Sequence, residues 1–290
     1  MSRLLTATDA VFARLAEDLF VSDGPTDARD RQRDKQQFDD LDTKFTSGHG
    51  SKEAEITNSV VFAPQERTRC RATFERVFLY YITDRKQLSA NEDEARRLLL
   101  NRVRRAATAG VDAIQIRERN LSARELTELG RRAVEIVRNA NPSAKVLINS
   151  RSDVAIACGA DGVHLRSDDI SAAEARAIFM HAGILRSVIG VSCHSRAEVE
   201  LAEGDGADFV VFGPIFEKDR EIKEEGLSSL QAACSRRAAQ PPMPVLALGG
   251  VSIENAQKCL QVGASGVAGI RLFQNGNVSQ VISRLRKLSD

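Results

Sequence analysis

Beyond residue 76 the chain alternates short apolar runs with longer segments in which hydrophobic residues recur every three or four positions. The runs fall at 77–82, 111–116, 145–148, 162–165, 187–191, 208–212, 244–248 and 266–270. Each is rich in Val, Ile or Leu without strict alternation, the pattern of strands covered on both faces, and amphipathic segments of helical period fill the gaps. The last of these puts Val278, Val281, Ile282, Leu285 and Leu288 on one stripe. Eight such units predict an α/β chain folded as a (β/α)8 TIM barrel over residues 77–290. A doubly wound open sheet is the alternative, weakened by the even spacing and by the lack of an early GxGxxG fingerprint. The segments Gly159-Ala160-Asp161-Gly162, Gly206-Ala207-Asp208 and Gly263-Ala264-Ser265-Gly266 repeat one device, with a looser copy at Ala109-Gly110-Val111-Asp112. In each, a glycine ends a helix and the chain turns into a strand, which belongs at the stability face of a barrel.

The first 76 residues lack this texture. From 23 to 58 the only large hydrophobes are Phe38, Leu41, Phe45 and Ile56, too few to offset the entropy of ordering the segment. Residues 1–76 are therefore expected to be a largely disordered extension. Leu4, Leu5, Val11, Phe12, Leu15, Leu19 and Phe20 permit one short amphipathic helix, a docking element for a partner or for a second copy of the chain in a homo-oligomer.

Charge and composition narrow the partners. Forty-one basic and forty acidic side chains leave a net charge of +1, and with no Trp and two Tyr the chain does not read as a nucleic-acid binder. No apolar stretch is long enough to span a membrane, and Asp9, Glu17 and Asp18 argue against a targeting peptide. The five cysteines contain no CxxC pair and read as reduced thiols, so a cytoplasmic location is expected.

Barrel chemistry lies at the C-terminal ends of the strands. After the second run, Gln115, Arg117 and Arg119 share one side while Ile116 and Glu118 face the other. Two guanidinium groups at a barrel mouth need an anion or a carboxylate to meet them, which leaves open a bound diphosphate or an internal salt-bridge layer. The third run ends at Asn149 and the fourth leads to Asp168-Asp169, a pair able to hold a hard cation or simply to sit near a helix start that Ser171 and Glu174 would cap. The fifth ends Ser192-Cys193-His194, a hydroxyl and an imidazole over the mouth. Gly249-Gly250 after the seventh run let backbone N–H groups approach an anion, and Arg271 follows the eighth.

The segments Tyr80-Tyr81-Ile82-Thr83-Asp84-Arg85, Gln115-Ile116-Arg117-Glu118, Gly159 through Leu165, Gly190-Val191-Ser192-Cys193-His194, Phe212-Gly213-Pro214-Ile215-Phe216 and Leu248-Gly249-Gly250-Val251 resemble, in order, the thiamine phosphate synthase and thiazole tautomerase superfamily. The resemblance covers 77–290 and is nearest to the synthases. It implies a magnesium-dependent transferase that joins hydroxymethylpyrimidine diphosphate to thiazole phosphate and releases pyrophosphate. Its partners would be small phosphorylated molecules. Carried over residue by residue, Gln115 would meet the pyrimidine, Arg117, Arg119 and Asn149 the diphosphate, and Asp169 the cofactor Mg2+. Gly250, with Gly249 beside it, would hold the thiazole phosphate, with Ser192 and His194 against the substrates; Arg271 departs from a small residue of the family and would be a further phosphate ligand. Arg117, Arg119 and Ser192 would act in catalysis. His164 and His194 match family positions without a proton-transfer role.

Several positions depart from that pattern. A usual lysine is Arg119, a metal-ligating Asp after Asn149 is Ser150, and Gly-Gln before the acidic pair is Arg166-Ser167. The loop after the sixth run has become the acidic 217–225, where Lys218 or Lys223 would replace the missing lysine. Two other readings therefore stand beside the synthase: a thiazole tautomerase with His194 as general acid or base, and a silent binder of thiazole phosphate or pyrimidine.

Overall fold

The structure is a computed structural model in which residues 76–216, 224–235 and 243–288 are described. Eight parallel strands close into one barrel in sequence order: β1 (Phe78–Ile82), β2 (Ala113–Ile116), β3 (Lys145–Asn149), β4 (Gly162–Leu165), β5 (Val188–Cys193), β6 (Phe209–Phe212), β7 (Val245–Ala247) and β8 (Gly266–Gly269). β8 pairs back onto β1 with Tyr80 opposite Ala268, so closure rules out the open sheet. The helices are α1 (Glu92–Thr108), α2 (Ala123–Ala140), α3 (Ser152–Cys158), α4 (Ala172–His181), α5 (Arg196–Gly204), α6 (Glu224–Cys234), α7 (Ala256–Gln261), α8 (Arg271–Gln274) and α9 (Val278–Arg286).

Local sequence explains most of the boundaries. Ser122 with Glu125 and Ser171 with Glu174 form full capping boxes, satisfying the first free amides of α2 and α4. α2 buries Leu126, Leu129, Ala133, Val134 and Val137, one stripe turned to the sheet. α3 ends at Gly159, whose φ of 70° is the left-handed cap the repeated Gly-Ala-Asp segments imply. The run at 111–116 enters the sheet only at Ala113. Asp112 instead accepts from the Leu79 amide at 2.7 Å, and it pairs with Arg286 and Arg76, both at 2.9 Å.

Two apolar layers result. One lies between strands and helices; the other fills the barrel with Tyr80, Ile82, Ala113, Leu147, Phe209, Val211, Leu246 and Ala268. Gly190 on β5 makes this inner layer possible, since a Cβ there would come within 2.5 Å of the Phe209 ring and 2.7 Å of His164 Nδ1. Gly190→Ala is expected to cost about 1–3 kcal/mol of stability through overpacking, read as a lower denaturant midpoint at unchanged slope.

The reading of residues 1–76 as a disordered extension with one amphipathic helix lies outside the described residues up to 75. So does the acidic loop from 217 to 223. No helix among the described residues is long and apolar enough to cross a membrane.

Candidate active site

β2 carries the main polar groups, and strand parity sorts them. Ala113 belongs to the barrel interior while Ile114 and Ile116 pack against the helices, so Gln115 and Arg117 follow Ala113 inward and Glu118 turns outward. Glu118, only 3% exposed, accepts from Thr83 Oγ1 at 2.7 Å, from Arg85 Nη1 at 2.9 Å and from the Arg85 backbone amide. The internal salt bridge left open by the sequence therefore exists, but it joins Glu118 to Arg85 and spares the cations beside it. Among the described residues no carboxylate lies within ion-pair distance of Arg117, Arg119 or Arg271. Arg117 is half-buried, and loss of water together with the neighbouring Arg119 pushes its guanidinium below the usual range.

A cleft of about 300 Å3 opens at this end of the barrel, lined by Glu118, Arg119, Leu121, Leu126, Asn149, Ser150, Arg151, Arg166 and Asp169. A chain of hydrogen bonds leads into it from the interior. Gln115 Nε2 donates to Asn149 Oδ1 at 2.9 Å, Asn149 Nδ2 to Ser150 Oγ at 2.8 Å, and Ser150 Oγ to Asp169 Oδ2 at 2.6 Å. Ser150 holds its place with φ at 61°, a left-handed conformation uncommon outside glycine. Asp169 Oδ2 also accepts from the Arg166 amide at 2.7 Å, and Arg166 Nε stands 3.5 Å from Oδ1. Asp168 is 70% exposed and pairs with the same Arg166, so the two acids of the pair are not equivalent.

The sequence placed the β2 and β8 cations and the β7 glycines around one cavity. Of those groups Arg119 lines this cleft, while Arg117 stands on the interior side with Gln115 and Arg271 is exposed at the start of α8. Gly249 and Gly250 adopt φ of 95° and 62° in a turn held by Asn255, which accepts from the Ser252 amide and donates to Gly250 O. Among the described residues no acceptor meets the amides of Gly249, Gly250 or Val251. Ser192 Oγ lies 2.9 Å from His164 Nε2. His194 is exposed, its Nδ1 2.5 Å from Gly213 O, which assigns the proton to Nδ1.

The model of the family described as thiamine monophosphate synthase matches residues 79–273, from β1 through most of α8. The chain belongs to this family. A thiamine-phosphate synthase of Chlorobium phaeovibrioides is 38% identical over 168 residues, covering 57% of this chain and 76% of its own. One of Moorella thermoacetica is 36% identical over 196 residues, 65% of this chain and 87% of its own. Among solved structures, the thiamine phosphate pyrophosphorylase from Pyrococcus furiosus matches with a TM-score of 0.60 at 31% identity, over 73% of this chain and 95% of that one.

Within the thiamine monophosphate synthase family, then, this chain carries Gln115, Arg117, Asn149, Asp169 and Ser192 at or just after the C-terminal ends of its barrel strands. Sequence reasoning missed the buried pair of Arg85 and Glu118 and the polar contact between Tyr80 and His164. Arg85 stood within the quoted motifs, yet nothing local marks that it would pair with Glu118, 33 residues away, as well as with the nearer Glu92.

Proposed function

We propose that the chain is a thiamine phosphate synthase: it joins hydroxymethylpyrimidine diphosphate to thiazole phosphate and releases pyrophosphate. The observation that carries this reading is a half-buried Arg117 with an exposed Arg119 beside it, neither matched by a protein carboxylate, at the catalytic end of a barrel. In the reaction the C–O bond to the diphosphate breaks, its electron pair leaves with the pyrophosphate, and the thiazole nitrogen lone pair forms the new C–N bond. Negative charge grows on the leaving group. Cations not engaged in an ion pair with a protein carboxylate are available to stabilise that charge as it develops.

The remaining roles follow the layout. Asn149, held by Gln115, and Arg119 face the cleft where a diphosphate would lie. The open amides of Gly249 and Gly250, with Arg271, suit the phosphate of the thiazole. Asp169 suits the magnesium ion that the family implies: Oδ2 is taken by Ser150 and the Arg166 amide, while Oδ1 has only the longer contact to Arg166. Magnesium is bound by one or two carboxylates together with substrate phosphates, so a single hard oxygen is enough for an ion arriving on a diphosphate. Bound there, it would neutralise charge on the departing pyrophosphate. Among the described residues no three acidic, His or Cys side chains group to hold a metal by themselves.

The test is to mix the purified chain with pyrimidine diphosphate, thiazole phosphate and magnesium. The expected result is one pyrophosphate released per thiamine phosphate formed. No product, with proton exchange on a thiazole carboxylate, would identify a tautomerase; no product and no exchange would leave a binding protein.

A further inference from the structure

The barrel interior is apolar around Phe78, Phe209, Leu246 and Ala268, yet Tyr80 and His164 place polar atoms within it. The Tyr80 hydroxyl, fully buried, lies 3.1 Å from His164 Nδ1; His164, 2% exposed, places Nε2 2.9 Å from Ser192 Oγ. The rings are packed in place. Tyr80 and His164 have centroids 5.5 Å apart, and Phe209 abuts both at 5.2 and 6.0 Å.

Counting protons decides the direction of these bonds. Were the imidazole proton on Nδ1, it would point at the Tyr80 oxygen, and the hydroxyl proton of Tyr80 would need another acceptor. Among the described residues it has none, and a buried donor without a partner costs about 1–3 kcal/mol. With the proton on Nε2 every buried group is satisfied: Tyr80 O–H donates to Nδ1, and Nε2–H donates to Ser192 Oγ. Ser192 is half-buried at the end of β5, and no protein acceptor among the described residues takes its own proton. Arg117 and Asp169 both lie close enough to act electrostatically on His164, in opposite directions, which puts this hydroxyl in the same charged mouth as the groups proposed to hold the diphosphate and its ion.

We infer that Tyr80 and His164 are positioning residues that fix the Ser192 hydroxyl as a hydrogen-bond donor toward an anionic oxygen of the substrate diphosphate. Burial, with Arg117 nearby, pulls the His164 imidazole down to about 3, so the ring stays neutral through the physiological range and the direction of the relay does not change. The tautomer is a property of the protein alone. The consequence for the diphosphate rests on the synthase reading.

The experiment has two arms. Nitrogen NMR of the ligand-free chain carrying 15N-labelled histidine is expected to show His164 protonated on Nε2, and Tyr80→Phe, which removes only the donor to Nδ1, is expected to add the other tautomer. A wild-type Nδ1–H signal overturns the relay. In the second arm, Tyr80→Phe and Ser192→Ala are each expected to lower kcat about tenfold, the worth of one hydrogen bond to a charged oxygen, with KM within about threefold. The double variant is expected to be no slower than Ser192→Ala, because Tyr80 acts through that hydroxyl. Independent, multiplying effects overturn the positioning role. A wild-type chain without turnover counts against the synthase reading, and the NMR arm still decides the relay.

Discussion

Arg117→Ala is expected to lower kcat/KM for the pyrimidine diphosphate by about 10²–10³-fold, the range seen when one preorganised donor to developing charge is removed. Stability is expected to hold or rise. Arg117 is half-buried, and lost hydration and Arg119 disfavour its positive charge by more than Asp84 and Glu118, neither within ion-pair distance, favour it, so the empty protein carries it at a cost. Deleting a group of this kind relieves the folded state while removing what stabilises the leaving group, the usual opposition of stability and activity at a site. Arg117→Lys keeps the charge but not the planar fork and is expected to fall between the two. Steady-state kinetics with denaturant unfolding of the same samples checks the pair of outcomes. Unchanged turnover with a lowered unfolding midpoint would make Arg117 a structural residue.

The neighbouring charge is expected to behave in the opposite way. Glu118→Gln keeps the shape of the side chain and an acceptor for Thr83, but leaves the Arg85 guanidinium, 1% exposed, without its buried counter-charge. Breaking a buried pair from one side costs about 3–5 kcal/mol, and the lower end applies because Glu92 still reaches Arg85 Nε at 2.7 Å. Replacing Arg85 and Glu118 together by Met and Leu is expected to cost less than the single change, since no charge is then stranded. Calorimetric or denaturant unfolding of the three proteins distinguishes these outcomes, and equal stability of Glu118→Gln and wild type would refute the account. Activity is expected to fall less than stability, because the retained acceptor still holds Thr83, which accepts from the Arg117 amide at 3.0 Å and so steadies the β2 end.

Three consecutive residues, Arg117, Glu118 and Arg119, thus divide into two cations outside any ion pair among the described residues and one buried staple. Period-two alternation along β2 separated them in advance, because a strand inside a closed barrel has one side for the interior and one for the helices. The eight strands were legible for a related reason. Each is buried on both faces and is therefore mostly apolar, and the capping boxes at Ser122 and Ser171 are short-range chemistry written within four residues.

Contacts across the fold were not legible. Arg166 stood out only as a departure from the family pattern, and its folding back onto Asp168 and Asp169 depends on the loop after β4. Arg271 looked like a cavity wall and is exposed, because α8 begins with it. Tyr80, His164 and Ser192 come from β1, β4 and β5 and meet only because the barrel closes and Gly190 leaves room for two rings. The sequence by itself determined the periodicities, and through them the barrel and the side of each strand on which a charge stands. Tertiary structure alone decided which charges are neutralised and where each buried proton points, because those depend on distances between residues far apart in the chain.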